Sequence, residues 1–391
     1  SNAQAYGWTA SAESIDVGWI TPLSIKGLRL VGRSGETNIQ IDRADTALTV
    51  TSLLRFDPSA VGEVSLRGVT LACTVSEGSS SIESDLEALL QPTDEPESPL
   101  QAAIQIQDAG ATITDATTGA SWSLSQANLN VALDGHHIKG DIAGLVNEPS
   151  GSGGAMQSQF EWRPPTGVPS EQTTAADPSH PDLHWEWAIE TESFPLSVTN
   201  LISRRFADQF CSLPQQVSGD TTGRIQIVGG DAGAIHASLG DVRIRNLKAI
   251  LLPTQPETSP EDDRTRITQW SNELATLDGR LALTEQWLLG EGLEITTDFA
   301  STTIDGSFPT TISFVGSDDN PLSWLQALEG KARVDVDLAS FDRALPGLLP
   351  LRRDVTLVSG RARGLIENTS VPRSGAPDAI AGQSEPTRSI L

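Results

Sequence analysis

Apolar and polar residues alternate one for one through many short segments of this chain, and that period demands a sheet with one wet face. Ile104-Gln105-Ile106, Leu129-Asn130-Val131-Ala132-Leu133, Arg224-Ile225-Gln226-Ile227-Val228, Arg280-Leu281-Ala282-Leu283 and Ala332 to Leu338 all carry it. Successive side chains of a strand point to opposite faces, so each segment gathers its apolar set on one side. Gly, Asp, Asn and Ser clusters separate the segments at short intervals, as antiparallel meanders require. The 391 residues include 34 Gly and 23 Pro and no long helical run. The expected fold is therefore mainly β: an extended antiparallel, strongly twisted sheet, groove-like or partly closed, with a few short capping helices.

Three segments depart from strict alternation in the same way: Leu23-Ser24-Ile25-Lys26-Gly27-Leu28-Arg29-Leu30, Val64 to Leu71 and Val242 to Ala249. In each, the apolar set slips by one position across a basic residue followed by Gly or Asn. A β-bulge restores the set to the same face, with Gly27, Gly68 and Asn246 taking the positive φ. The alternative is coincidence among short amphipathic strings.

A longer similarity pairs Ser193-Phe194 with Ser340-Phe341 and Val217-Ser218-Gly219 with Val358-Ser359-Gly360, followed by Gly223 and Gly364, then Ile225 and Ile366. With Trp185–Ile189 and Arg333–Leu338 leading in, the unit reads strand, helical link, strand, repeated at about 140 residues, longer than the usual solenoid period. Such repetition implies a sheet that adds similar strands along one axis. Helices are expected over Ser81–Gln91, whose Glu83, Asp85 and Glu87 favour a helix start, and over Pro195–Phe210 and Pro321–Leu328, each opened by a proline. All three should cap or plug sheet ends. Pro92–Pro99, Glu148–Gly154, Pro164–Pro181 and Pro253–Asp263 read as exposed loops or linkers, Gly151-Ser152-Gly153-Gly154 as a flexible one.

Ser1-Asn2-Ala3 looks like a scar of tag cleavage. The expected organisation is an N-terminal β-rich module with one short helix (1–95) and an antiparallel β segment with long loops (96–190). A strand–helix–strand unit with a meander (191–330), the start of a second unit (331–368) and a low-complexity tail (369–391) follow.

Lys and Arg number 26 against 51 Asp and Glu, a net charge of −25. Such a surface repels phosphate backbones, and the pairs Arg204-Arg205 and Arg352-Arg353 are too small to reverse it, so nucleic acid is not an expected partner. Anionic lipid surfaces are disfavoured for the same reason, whereas acyl chains in an apolar groove are not. Cys73 and Cys211 are the only cysteines. They read as two buried free thiols, with a disulfide in an oxidising compartment as the alternative. No apolar run reaches the roughly 18 residues of a membrane span.

Signatures of catalysis are missing from the sequence: no Gly-x-Ser-x-Gly elbow, Walker A loop, His-Glu-x-x-His or Rossmann fingerprint occurs. Of His136, His137, His180, His184 and His236, only His180 and His184 have helical metal-ligand spacing, and Pro181 between them argues against the helix. His136-His137 after Asp134-Gly135 reads as a hairpin turn. Glu261-Asp262-Asp263 and Asp318-Asp319 lack calcium-loop spacing. No catalytic, cofactor-binding or metal residues are therefore assigned, no cofactor is expected, and the chain is not expected to be an enzyme. Nine tryptophans stand beside one tyrosine, Trp185 and Trp187 on one strand face. A carbohydrate platform is one reading; large residues filling the inside of a wide sheet, with Trp122, Trp162, Trp270 and Trp287, is the other.

Several stretches resemble the AsmA and TamB-like group of envelope proteins. Val17-Gly18-Trp19-Ile20-Thr21-Pro22-Leu23-Ser24-Ile25-Lys26-Gly27-Leu28 looks like the strand that follows the family's membrane anchor. Ile39 to Asp45, Leu48 to Leu54, Val61 to Leu66 and Ser81 to Leu86 resemble its continuation, and Leu277 to Leu281 with Asp298 to Gly306 its ladder repeats. The resemblance covers about half the chain, rests on strand and turn patterns, and implies the periplasmic N-terminal portion of such a protein. It implies a long β-sheet rolled into an apolar groove, a membrane helix preceding it in the full-length protein, and a place in the periplasm or cell envelope. It further implies a role in outer-membrane assembly or lipid transport, with phospholipid or other acyl lipid, and envelope proteins, as partners. The competing expectation is a closed-core structural or adhesive envelope module with no lipid role.

Overall fold

The computed structural model describes residues 7–19, 21–49, 60–87, 100–135, 137–163, 183–205, 216–230, 235–250, 269–284, 287–309, 329–344 and 356–368. They form one 18-stranded sheet with a few short helices. β1 (Thr9–Ser11) and β2 (Ser14–Asp16) lie in succession along the edge of β3 (Ser24–Val31); β3 pairs with β4 (Asn38–Thr46) and β4 with β5 (Ala60–Ser76). β6 (Ser79–Ser80) folds back on β5 and leads into α1 (Ser81–Leu86). β7 (Leu100–Asp115) then pairs with β5. The ladder continues through β8 (Ser121–Gly135), β9 (His137–Asn147), β10 (Gly153–Trp162), β11 (Leu183–Pro195), β12 (Gln216–Gly230) and β13 (Ile235–Ile250). It ends with β14 (Gln269–Leu283), β15 (Trp287–Thr296), β16 (Ala300–Pro309), β17 (Glu329–Asp337) and β18 (Arg361–Asn368). The sheet is not closed: among the described residues β18 pairs only with β17, and β1 and β2 only with β3.

Antiparallel pairing holds everywhere but at β5 and β7, which run parallel. β5 finishes at what is here termed the upper end, and the chain passes α1 and returns to the lower end before β7 begins, so both strands climb. From β7 on, odd-numbered strands climb and even-numbered ones descend. A 3₁₀ turn (Leu196–Val198) with α2 (Thr199–Arg205) follows β11, and α3 (Leu338–Ala344) follows β17. These three helices, the ones among the described residues, therefore sit at the upper end.

Two of the three expected helices have described residues. α1 ends at Leu86 and α2 at Arg205; residues 88–91, 206–210 and the stretch 321–328 lie outside the described residues. The Ser80 hydroxyl accepts from the Glu83 amide at 3.3 Å while the Glu83 carboxylate accepts from the Ser80 amide at 3.1 Å, a reciprocal cap.

Gly27, Gly68 and Asn246 have φ of +60°, +61° and +52°, the bulges read from the sequence. They are not isolated. Asp108, Gln126, Ser193, Asp241 and Gly292 are also left-handed, at φ of 49–55°, and most sit beside register shifts of neighbouring strand pairs. Gly27 and Gly68 both face Asp42, and Asp108 lies beside Gly68. The irregularities thus follow one another from strand to strand. A bulge bends its strand and raises its twist. Aligned, they crease the sheet.

The crease closes toward the apolar face at the upper end. A flat sheet would separate β11 from β5 by five strand spacings, about 24 Å. Yet Leu201 of α2, six residues past β11, packs against Val75 of β5 and Trp122 of β8. A 3₁₀ turn and the first helical residues advance only about 10 Å. The link is a chord across a curled sheet. Elsewhere twist makes the polar face hollow, as a shallow trough across β5 to β11 that includes Gln105, Asn130, Lys139 and Glu186.

Two sequence readings are corrected. Gly151 to Gly154 is no flexible linker: Glu148 N donates to Ser152 O and Gly151 N to Glu148 O, both at 2.9 Å, closing a tight turn from which β10 starts at Gly153. Ser193-Phe194 lies in β11 whereas Ser340-Phe341 lies in α3, so these dipeptides are not equivalent in position. The strand–helix–strand units themselves recur, as β11–α2–β12 and β17–α3–β18. The expected unit boundaries at 190/191 and 330/331 lie within β11 and β17.

Candidate functional site

The largest chemical feature of the fold is the apolar face. Ile25, Ala44, Leu66, Ile106, Leu129, Ile142, Ser158, Ile189, Ile225, Leu239 and Gly279 are successive cross-strand partners from β3 to β14. Partners share a face, so this is one unbroken row. Its single polar member, Ser158, is buried and takes the indole N–H of Trp187. Beyond it, Leu293, Ile304, Ala332 and Ile366 extend the face to β18.

The crease preserves this face. Ile25 and Leu28, Leu66 and Val69, Ile106 and Ala109, and Leu239 and Val242 are three residues apart, which strict alternation would split between faces. Each pair spans one left-handed residue, and both members stay on the apolar side. Charged residues such as Arg43, Arg67, Glu190 and Lys331 fall on the other face.

The two margins differ. At the upper margin α2 acts as a strap over the apolar side chains Val75, Ile113 and Trp122. Arg204 Nε donates to Asp115 Oδ2 at 2.7 Å, and Arg205 reaches Glu83 Oε2 at 2.6 Å and the Gly78 carbonyl at 2.7 Å. Trp122 Nε1 donates to Ser197 Oγ at 2.9 Å, which in turn donates to Glu148 Oε2 at 2.6 Å. The strap is thus fastened to strands distant from the two it joins. At the lower margin apolar residues reach solvent: Trp162, Trp187 and Leu283 are 39%, 43% and 40% exposed. Among the described residues, only the helical links pack across the face.

An aromatic platform occupies the lower half of β10 and β11. Trp162 pairs with Trp185 and Phe160 with Trp187. Phe160 lies over Gly140, whose added Cβ would fall 2.5 Å from Phe160 Cζ; Trp185 lies over Gly229, whose Cβ would fall 2.2 Å from its Cε2. The two glycines are the recesses that let these rings lie against the sheet.

The strap's carboxylates give it a pH dependence. Burial pushes the Asp115 carboxyl up, but bonds from Thr118 and Thr117 and the charge of Arg204 outweigh it and hold it below the ordinary range. Burial likewise raises Glu148, and Ser150, Ser152 and Ser197 more than offset this. Arg205 holds Glu83 down against burial. A carboxylate with a depressed folded pKa stabilises the fold above its unfolded value, near 4, and that contribution vanishes as pH falls through the folded value. The melting temperature should therefore drop steeply below about pH 4, and a flat profile down to about pH 3 would refute the assignment.

Other chemistry is sparse. Among the described residues no three His, Cys, Asp or Glu side chains converge as a metal site. His184 enters β11, an extended strand, so it has no helical face to share; His180 lies outside the described residues, as do the acidic runs 261–263 and 318–319 and Arg352-Arg353. His137 pairs with Asp134 across the β8–β9 hairpin and bonds Glu161 at 2.8 Å. Cys73 is buried and free, burial pushing its thiol up; Cys211 is not among the described residues. No described helix is long and apolar enough to cross a membrane. No family model matches the chain, and no curated protein matches it. The strap residues Arg204 and Arg205 were legible only as a small basic pair, because their partners lie 89 and 122 positions away.

Proposed function

We propose that this chain is a non-enzymatic scaffold of the cell envelope that holds acyl lipid against its apolar face, in the manner of AsmA and TamB-like proteins. The observation that carries the reading is the row from Ile25 to Gly279, apolar across eleven strands save for Ser158. A monomer rarely presents a contiguous apolar patch of more than a few hundred Å² to water, and larger ones accompany ligands or partners. A sheet with one apolar face and one polar face suits acyl chains, which need shielding and offer nothing to hydrogen-bond. Lipid transport or outer-membrane assembly, in the periplasm, is the setting that the sequence resemblance suggests.

The test is native mass spectrometry with lipid extraction on protein purified without detergent. Phospholipid should co-purify, and Ile25→Glu with Leu66→Glu, which place charges on the same row, should abolish it while circular dichroism still reports the sheet. Lipid-free wild-type protein that also takes up no fluorescent acyl chain would sink the proposal in favour of a structural module.

A further inference from the structure

Independently of the lipid reading, we infer that the upper end of the sheet carries a separate binding site whose ligand is a small organic carboxylate held by Asn272 and Arg343. An open pocket of about 580 Å³ lies there between α3 and the ends of β13 and β14, its wall including Leu247, Asn272, Asp298, Phe299, Ser340 and Arg343. Small-molecule sites are of this size, roughly 300–1,000 Å³. Phe341 of α3 meets Phe299 edge-on at 5.5 Å, which holds the helix beside the β15–β16 turn.

Asn272 is the residue that points to a ligand. It is 4% exposed, pairs with the buried Leu247, and its Nδ2 has no hydrogen-bond partner among the described residues. Turning the amide over does not cure this. Its Oδ1 accepts from Asp298 N at 3.1 Å, so a flipped side chain would set two donors against each other. Asp298 is itself held to β14, its carboxylate accepting from the amides of Glu273 at 2.5 Å and Leu274 at 3.3 Å. The reciprocal clamp leaves an NH2 group buried and unpaired, which costs free energy until an acceptor arrives. Trp270 Nε1, two residues along the same side of β14, is another buried donor without a partner among the described residues. Both groups require acceptor atoms.

The charges on Asn272's side of the sheet narrow the class of acceptor. Lys248 and Glu273 are exposed and alternate with the buried Leu247, Ala249 and Asn272, so they project from the opposite face and take no part. Arg343 uses two of its five N–H groups inside α3, on the Ala339 carbonyl at 3.2 Å and Ser340 Oγ at 3.0 Å. The Asp337 carboxylate, near enough to feel Arg343, accepts instead from the Ala339 and Ser340 amides at 3.0 Å. The remaining guanidinium donors and Asn272 Nδ2 suit the two oxygens of a carboxylate. Asp298 and Asp337 nearby penalise a doubly charged phosphate more than a singly charged carboxylate. Leu247 and Phe299 supply an apolar wall for the ligand's body.

The experiment is isothermal titration calorimetry with benzoate, and with benzyl alcohol and phenyl phosphate as its neutral and dianionic comparisons. Benzoate should bind at one site, at least about tenfold more tightly than either comparison. Asn272→Asp keeps the acceptor for Asp298 N and replaces the buried donor by a negative oxygen, so it should weaken benzoate at least about tenfold. Arg343→Gln, at an exposed position, should weaken it about fivefold or more, and it keeps the test decisive if Asn272→Asp fails to fold. No binding of benzoate to the folded wild type, as when water or the chain's own residues 251–268 fill the pocket, overturns the inference. So does an affinity that either folded variant leaves unchanged, and so does equal or tighter binding of benzyl alcohol or phenyl phosphate.

Discussion

Arg204→Ala should destabilise the protein by about 3 kcal/mol, the scale expected when a buried carboxylate loses its cation. Asp115 is almost fully enclosed, with 3% of its side chain exposed, and Arg204 meets it at 2.7 Å. Thr117 and Thr118 remain bonded to it, which keeps the loss from being larger. The effect should exceed that of an ordinary surface charge because Arg204 also holds α2 over Val75 and Trp122. Arg204→Lys should recover part of the loss, since an ammonium supplies the charge without the guanidinium's fixed geometry. Urea denaturation followed by tryptophan fluorescence reads both values. A loss under about 0.5 kcal/mol for Arg204→Ala would mean that the strap contributes nothing to the curl.

Gly279→Val should cost about 3 kcal/mol or more, and the mutant is expected to accumulate poorly as folded protein. Gly279 has φ of +122°, and a Cβ there would lie 2.5 Å from the Gly292 carbonyl oxygen and 2.7 Å from Leu293 Cα. Both are backbone atoms, so no rotamer change relieves the contact. Gly364→Ala is the matched control: its Cβ would meet nothing within 4 Å, so its effect should stay within about 0.5 kcal/mol. Comparable losses for the two would show that the crease tolerates side chains and is not a fixed element of the fold.

The period of two carried most of the fold. Segments such as Leu129 to Leu133 or Ala332 to Val336 announced their faces because a half-buried strand must alternate. The bulges at Gly27, Gly68 and Asn246 were readable too, since a slip in that period has few other causes. Asp108, Gln126 and Ser193 were not, because Asp, Gln and Ser in a polar stretch give no sign of a positive φ. The parallel pairing of β5 and β7 depends on a long return path that composition does not describe. The strap was invisible for a similar reason: Leu201, Arg204 and Arg205 find their partners only once six strands have curled together. Trp185 and Trp187 were visible as one strand face, but the seating of Trp185 depended on Gly229 in another strand.

Except for the helical links, contacts run from each strand to the next. Such a molecule has no centre whose loss dissolves the whole; it is closer to a fabric than to a globule, with cohesion that accumulates row by row. The exceptions are two stitches: α2 makes β5 to β12 one block, and α3 packs on β14 with Phe341 against Phe299 at 5.5 Å, binding β14 to β17 as a second. Strand pairs are interchangeable only where no stitch crosses them. Curvature is the property this architecture must fasten down.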